Sequence, residues 1–262
     1  MGKLFGQIFK EDIKTIILWM FLPLAAVTIF SQLIRVFESS LLVGIGLVLS
    51  GILLVAGPLI GIAVLTKNDN QRFYGDNASF YSALPFSSAE VTGARYINYI
   101  LIGLIIAISI VLNFILLTIT QSNAPLSLAE LFGEISELLS KIDIRIFWGV
   151  ILNFFMLGLS FASMIMFANT AGHLKILGVS KSASAIIFSI IFIIVGYLFT
   201  KVQGWIIADY MTTVNSGEFS LEVANNAPVM KTVILPALFN IFVAAIFYIL
   251  TLKIHKDKLS VA

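Results

Sequence analysis

The sequence has no cysteine, two histidines, six prolines in 262 residues and only 11% charged side chains. Each shortage excludes something. Without cysteine there is neither a disulfide framework nor a thiolate metal site, and the redox compartment leaves no mark on the chain. His173 and His255 cannot form the paired metal helix of an H-E-x-x-H motif. No G-x-S-x-G nucleophile turn appears, and no G-x-x-x-x-G-K-[ST] phosphate loop. The chain is therefore expected not to be an enzyme and to hold no cofactor. A net charge of +2, with no basic patch, gives no reason to expect a nucleic-acid partner. The low charge content matters most. A soluble domain carries roughly 25% charged residues to face water. This chain cannot cover a globule, so its outer face has to meet hydrocarbon.

What is abundant points the same way: 59% of residues are apolar and the mean hydropathy is +1.03. A bilayer core needs about 20 apolar residues per helix. Six runs qualify, at 15–34, 41–66, 96–120, 146–168, 183–200 and 232–252. The runs are continuously apolar, which favours helices over the alternating strands of a barrel. The first begins too late and runs too long to read as a removable signal peptide. The fifth has room to extend past Lys201, whose ammonium can snorkel to the interface. The expected fold is a single all-α membrane domain over 1–262, with six spans. Eleven of the sixteen Lys and Arg residues fall on one side, including both terminal segments. The positive-inside rule then makes both termini cytoplasmic. No ionisable residue falls within the middle of a run, which argues against a proton-coupled carrier.

Segments between the runs carry their own patterns. Residues 1–14 place Leu4, Phe5, Ile8, Phe9 and Ile13 at near-helical spacing opposite Lys3, Gln7, Lys10, Glu11 and Lys14. This reads as an interfacial amphipathic helix, or as a generic positive-inside anchor. On the outer side, 122–143 repeats Leu128, Leu131, Phe132, Ile135, Leu138, Leu139 and Ile142 at three- and four-residue steps, an amphipathic helix behind a Ser127–Glu130 capping box. The 201–231 connection is long enough to hold a broken, partly re-entrant helix. Gly44, Gly46, Gly51, Gly57 and Gly61 let the second span approach a neighbour closely.

The 67–95 connector is the longest on the cytoplasmic side. Pro85 disfavours helix at Leu84, while Ser87 and Glu90 form a capping box that starts a helix carrying Val91 and Arg95 into the third span. Upstream, Phe73, Tyr74, Phe80, Tyr81 and Leu84 put many aromatic and apolar groups outside the bilayer. Either they lie on the membrane surface or they dock into another protein. Asn98, Asn113, Asn153, Tyr197 and Asn240, with Ser50 and Ser160, are polar residues within the runs. They either line a substrate path or make interhelical hydrogen bonds, worth about 0.6–2 kcal/mol each in membranes.

The order of these parts resembles the permease subunit of a type-2 class ABC exporter. The stretch 73–100, FYGDNASFYSALPFSSAEVTGARYINYI, is similar to small Firmicutes permeases of that class, including those that export phenol-soluble modulins. There an aromatic-Gly segment leads to Leu-Pro, a polar helix start and a basic residue. Here these are Phe73, Tyr74, Gly75, Leu84, Pro85, Ser87, Glu90 and Arg95, with Phe86-Ser87-Ser88 where the family usually has a basic residue. The resemblance implies a coupling helix between spans 2 and 3, with Tyr81, Leu84, Pro85, Phe86, Ser87, Glu90 and Arg95 engaging a cytoplasmic ATPase. It also implies ATP and Mg on that partner, a second permease copy or paralogue, and an amphipathic or apolar cargo such as a peptide. The expected location is the bacterial plasma membrane. A non-transporting membrane scaffold or immunity protein is the alternative reading of the same residues.

Overall fold

The structure is a computed structural model that describes residues 2–37, 40–121, 133, 136–137, 140, 144–174, 183–211 and 233–259. Among them are seven helices and no strand. They are α1 (Gly2–Phe37), α2 (Ser40–Phe73), the five-residue α3 (Ala78–Ser82), α4 (Ser88–Gln121), α5 (Ile144–Ala171), α6 (Ala183–Met211) and α7 (Leu235–Leu259). All but α3 are long and apolar enough to cross a membrane, as a multi-pass membrane protein requires. Five of the six expected runs lie wholly within a helix, and the sixth begins just before α7.

Two compact units divide the chain, Met1–Gly133 and Glu134–Ala262. In the first, α1 packs against α2 and α4. Phe30 lies beside Gly46, Pro23 beside Gly57, and Asp12 is bonded to Asn68, so α1 and α2 run antiparallel. Asp12 also meets Asn98, and Met20 meets Ser109, so α4 runs parallel to α1. The expected close approach of the second span occurs at Gly46, Gly57 and Gly61, whereas Gly44 and Gly51 face open space. Gly57 has a specific reason. Pro23 has no N–H, so the carbonyl four residues earlier, on Trp19, loses its helical donor. A Cβ at position 57 would lie 2.8 Å from that Trp19 oxygen and 3.0 Å from Pro23 Cγ. Only glycine lets α2 come this near.

The N-terminal segment differs from expectation. Instead of a separate interfacial helix ending at residue 14, one helix runs from Gly2 to Phe37. Leu4, Ile8, Asp12, Ile16 and Met20 recur every fourth residue and are all buried. This stripe crosses the boundary at residue 14 without a break, so burial continues the helix through it.

In the second unit, α5 packs chiefly on α7. Asn153 donates to the Val233 carbonyl at 3.0 Å, and Ser160 to Asn240 Oδ1 at 3.2 Å; both pairs are 80 residues apart in sequence. Phe167 packs on Phe247 with centroids 5.2 Å apart. This constant offset makes α5 and α7 parallel. Phe161 packs on Phe188 and Phe192, while Gly172 abuts Ser184, so α6 runs the opposite way. Helix α6 continues past Lys201 to Met211. Most of the expected outer amphipathic helix, and the 212–232 part of the long connection, lie outside the described residues.

Candidate functional site

The most concentrated chemistry lies in the first unit, where the 74–87 connector meets the ends of α1, α2 and α4. Leu4, Ile8, Tyr81, Val91 and Ala94 form a buried cluster there, with Phe5, Phe73, Leu84 and Phe86 packed against it. Burial of this apolar surface seats the connector on the first two turns of α1. The Phe73 and Tyr81 rings, 5.3 Å apart, extend the contact.

Beneath the cluster lie two buried ion pairs. Arg72 holds Asp12 with both terminal nitrogens, Nη1 to Oδ2 at 3.0 Å and Nη2 to Oδ1 at 2.6 Å. Its Nε donates to Glu11 Oε2 at 3.0 Å. Asp12 is 0% exposed. Its carboxylate also accepts from Asn68 Nδ2 at 2.9 Å and Asn98 Nδ2 at 2.7 Å. One carboxylate therefore ties together α1, α2 and α4. In the second pair, Arg95 grips Asp69 through Nε at 2.8 Å and Nη2 at 2.5 Å. Its Nη1 donates to the Tyr74 hydroxyl at 3.1 Å, and its guanidinium lies 4.7 Å from the Phe73 ring centre.

Removing an ion from water costs several kcal/mol, and only good geometry with further hydrogen bonds offsets it. Both pairs meet that condition, being two-pronged Arg–carboxylate contacts with additional partners. Tyr81 links this hub to the connector, because its hydroxyl donates to Glu11 Oε2 at 3.3 Å. Burial, and next the Glu11 charge, push the Tyr81 phenol above its usual range, so it stays a neutral donor. The chain Tyr81–Glu11–Arg72–Asp12–Asn98 thus runs from the connector into three long helices.

The candidate coupling residues separate by exposure. Tyr81 and Arg95 face inward, Leu84 and Phe86 are half-buried on the apolar cluster, and Pro85 and Ser87 are exposed. The expected capping box forms: Glu90 Oε2 accepts from Ser87 N and Oγ, both at 3.0 Å, and Glu90 N donates to Ser87 Oγ at 3.3 Å. Leu84, Pro85, Phe86 and Ser87 lie between helices, after the short α3. The side chain that sequence reasoning undervalued is Phe80, 55% exposed and edge-on to Tyr81.

The candidate substrate-path residues are divided between the two units. Asn98 belongs to the Asp12 hub. Asn113 donates to the Ser109 carbonyl at 2.8 Å, and Ser109 Oγ to the Met20 carbonyl at 2.8 Å, across the α1–α4 seam. Asn153 and Asn240 bridge α5 to α7 or to their own helix. Tyr197 is 60% exposed, with Lys201 Nζ 5.3 Å from its ring centre. Asn98, Asn153 and Asn240 thus bridge segments within their own units, whereas Asn113 bonds within α4. Among the described residues no three His, Asp or Glu side chains gather as they would around a metal. Comparison with known protein families, curated proteins and solved structures finds no match to this chain.

Proposed function

We propose that this chain is the membrane-spanning subunit of an ATP-driven exporter. In this reading its connector transmits the motion of a cytoplasmic ATPase that carries the ATP and Mg. The observation that carries the proposal is the fastening of residues 74–87: an apolar cluster seats them on α1, and Tyr81, Glu11, Arg72 and Asp12 tie them to α2 and α4. A connector that only joined two spans would need no such anchorage. Force applied at its outer surface reaches three long helices through rigid, two-pronged contacts. The contact surface is Phe80 with Ala83 and Pro85, apolar residues exposed on the connector, while Tyr81 and Arg95 hold it from beneath. The orientation follows the excess of Lys and Arg on one side, which puts the connector and both termini in the cytoplasm of a bacterial cell. A second permease copy or paralogue completes the pathway. The cargo is amphipathic or apolar, a peptide being the leading candidate, since no spanning segment offers a charged site at its centre.

Purification from native membranes tests this reading. A cytoplasmic ATPase should co-purify, and its hydrolysis should depend on this chain. Phe80→Asp with Pro85→Ser should abolish that dependence while leaving the permease folded. An ATPase equally stimulated by the doubly substituted chain, or no ATPase in the complex, would overturn the proposal.

A further inference from the structure

The second unit contains a cavity that the transport proposal does not use. It lies between α5, α6 and α7, has a volume of about 500 Å³, and is open to the exterior. Phe154, Phe161, Met164, Phe192, Phe199 and Phe239 form most of its wall. Behind the wall, Phe188 stacks on Phe192 with centroids 5.9 Å apart, and Phe161 meets both edge-on. The polar wall residues, Ser160 and Asn240, are already occupied. Ser160 Oγ donates to Asn240 Oδ1 and lies 2.9 Å from the Leu157 carbonyl, and Asn240 Nδ2 donates to the Pro236 carbonyl at 3.0 Å.

Two glycines keep the space open. Gly158 on α5 and Gly196 on α6 both line it, and a Cβ added at either meets nothing within 4 Å. Water needs two to four polar partners to be held in place, and this wall offers only Ser160 and Asn240, which already bond to each other. The occupant must therefore be apolar. A peptide segment fits poorly, because its backbone N–H and C=O groups would find no partner here. A hydrocarbon tail needs none. At this depth, along helices long enough to span a bilayer, the surrounding medium consists of such tails.

We infer that this cavity is a binding site for one acyl chain of a bilayer lipid, held as a structural part of the second unit. The inference stands apart from the transport proposal and needs no ATPase for its test. The full chain is purified in detergent, stripped of lipid, and then given 1-palmitoyl-2-oleoyl phosphatidylglycerol as the probe. Bound lipid per chain is counted by native mass spectrometry, and unfolding is followed by tryptophan fluorescence. The wild-type chain should retain about one lipid and gain several degrees in Tm, since a ligand that binds only the folded state raises its stability. Gly158→Leu should unfold at a higher temperature than the stripped wild type and lose most of the lipid-dependent gain, because its side chain replaces the tail. Gly196→Leu serves in the same way if the first variant does not fold. Gly103→Leu is the control: this glycine is exposed on α4, also has open space at its Cβ, and lies outside the cavity. It should keep the full gain in Tm. An undiminished gain in the cavity-filled variants, a gain that tracks protein concentration in place of lipid, or a wild type indifferent to lipid would each overturn the assignment.

Discussion

The two units are built from similar parts and held together differently. Each contains three long helices, two parallel and one running back. In the first, the helices converge on buried charge: Asp12 with Arg72, and Asp69 with Arg95. In the second, they meet through phenylalanine rings and amide or hydroxyl seams, with a large apolar hole between them. Buried ion pairs are a poor way to gain stability, since well-packed apolar groups of similar volume often do as well. They define position sharply, because any displacement exposes an uncompensated charge. Aromatic packing around a cavity tolerates displacement. The contrast therefore assigns precise positioning to the unit that carries the connector, and adaptability to the unit that carries the hole.

The largest expected effect breaks this contrast at its strongest point. Asp12→Ala leaves buried Arg72 with Glu11 as its remaining carboxylate partner and removes an acceptor of Asn68 and Asn98. It should cost about 3–5 kcal/mol, measured by SDS or thermal unfolding in micelles. Asp12→Asn, which keeps the shape and loses the charge, should recover little of that. If either variant is nearly neutral, the hub is not holding the three helices together.

An intermediate effect compares the close contacts of the two units. Gly57→Ala drives a Cβ against the Trp19 backbone oxygen, and Gly149→Ala drives one to 2.6 Å from the Val233 methyls. Each should cost about 1–3 kcal/mol. Only the second can be relieved by trimming a side chain. Gly149→Ala with Val233→Ala should be less destabilised than the sum of the single variants by about 0.5 kcal/mol or more. No side-chain trimming restores Gly57→Ala, because its obstacle is backbone. Strict additivity in the first case would remove the proposed Gly149–Val233 contact.

The smallest effect belongs to the hydroxyl seam. Ser160→Ala deprives Asn240 Oδ1 of its donor, yet such hydrogen bonds average only about 0.6 kcal/mol in membranes. A loss above 2 kcal/mol would mean that the second unit depends on polar contacts as heavily as the first, and the contrast would fail.

How much of this was legible in the sequence varies by feature. The six long helices were, because a run of about 20 apolar residues has few other uses. The Ser87–Glu90 capping box was, because it depends only on local spacing. The ion-pair hub was not. Asp12, Asp69, Arg72 and Arg95 look like ordinary interfacial charges when each is read alone, since their burial depends on partners 26 to 86 residues away. One signal was present: Asp12 falls in phase with Leu4, Ile8, Ile16 and Met20, on the apolar side of its helix. An acid in that register calls for a buried cation. For the polar residues within the spans, sequence left two meanings open; Asn153 and Asn240 make the interhelical hydrogen bonds of one of them, while Asn113 bonds within its own helix. Phe80 and Tyr81 could not be told apart by type; only the fold turns one outward and the other in.

The register of Asp12 also bears on how the chain is made. Its carboxylate is synthesised before its partners: Asn68, Arg72 and Asn98 follow 56, 60 and 86 residues later. At roughly 5–20 residues per second, that acid waits several seconds without its counterion. Until then, water or lipid headgroups must shelter that acid, and α1 cannot settle at its final depth before α4 has emerged from the ribosome.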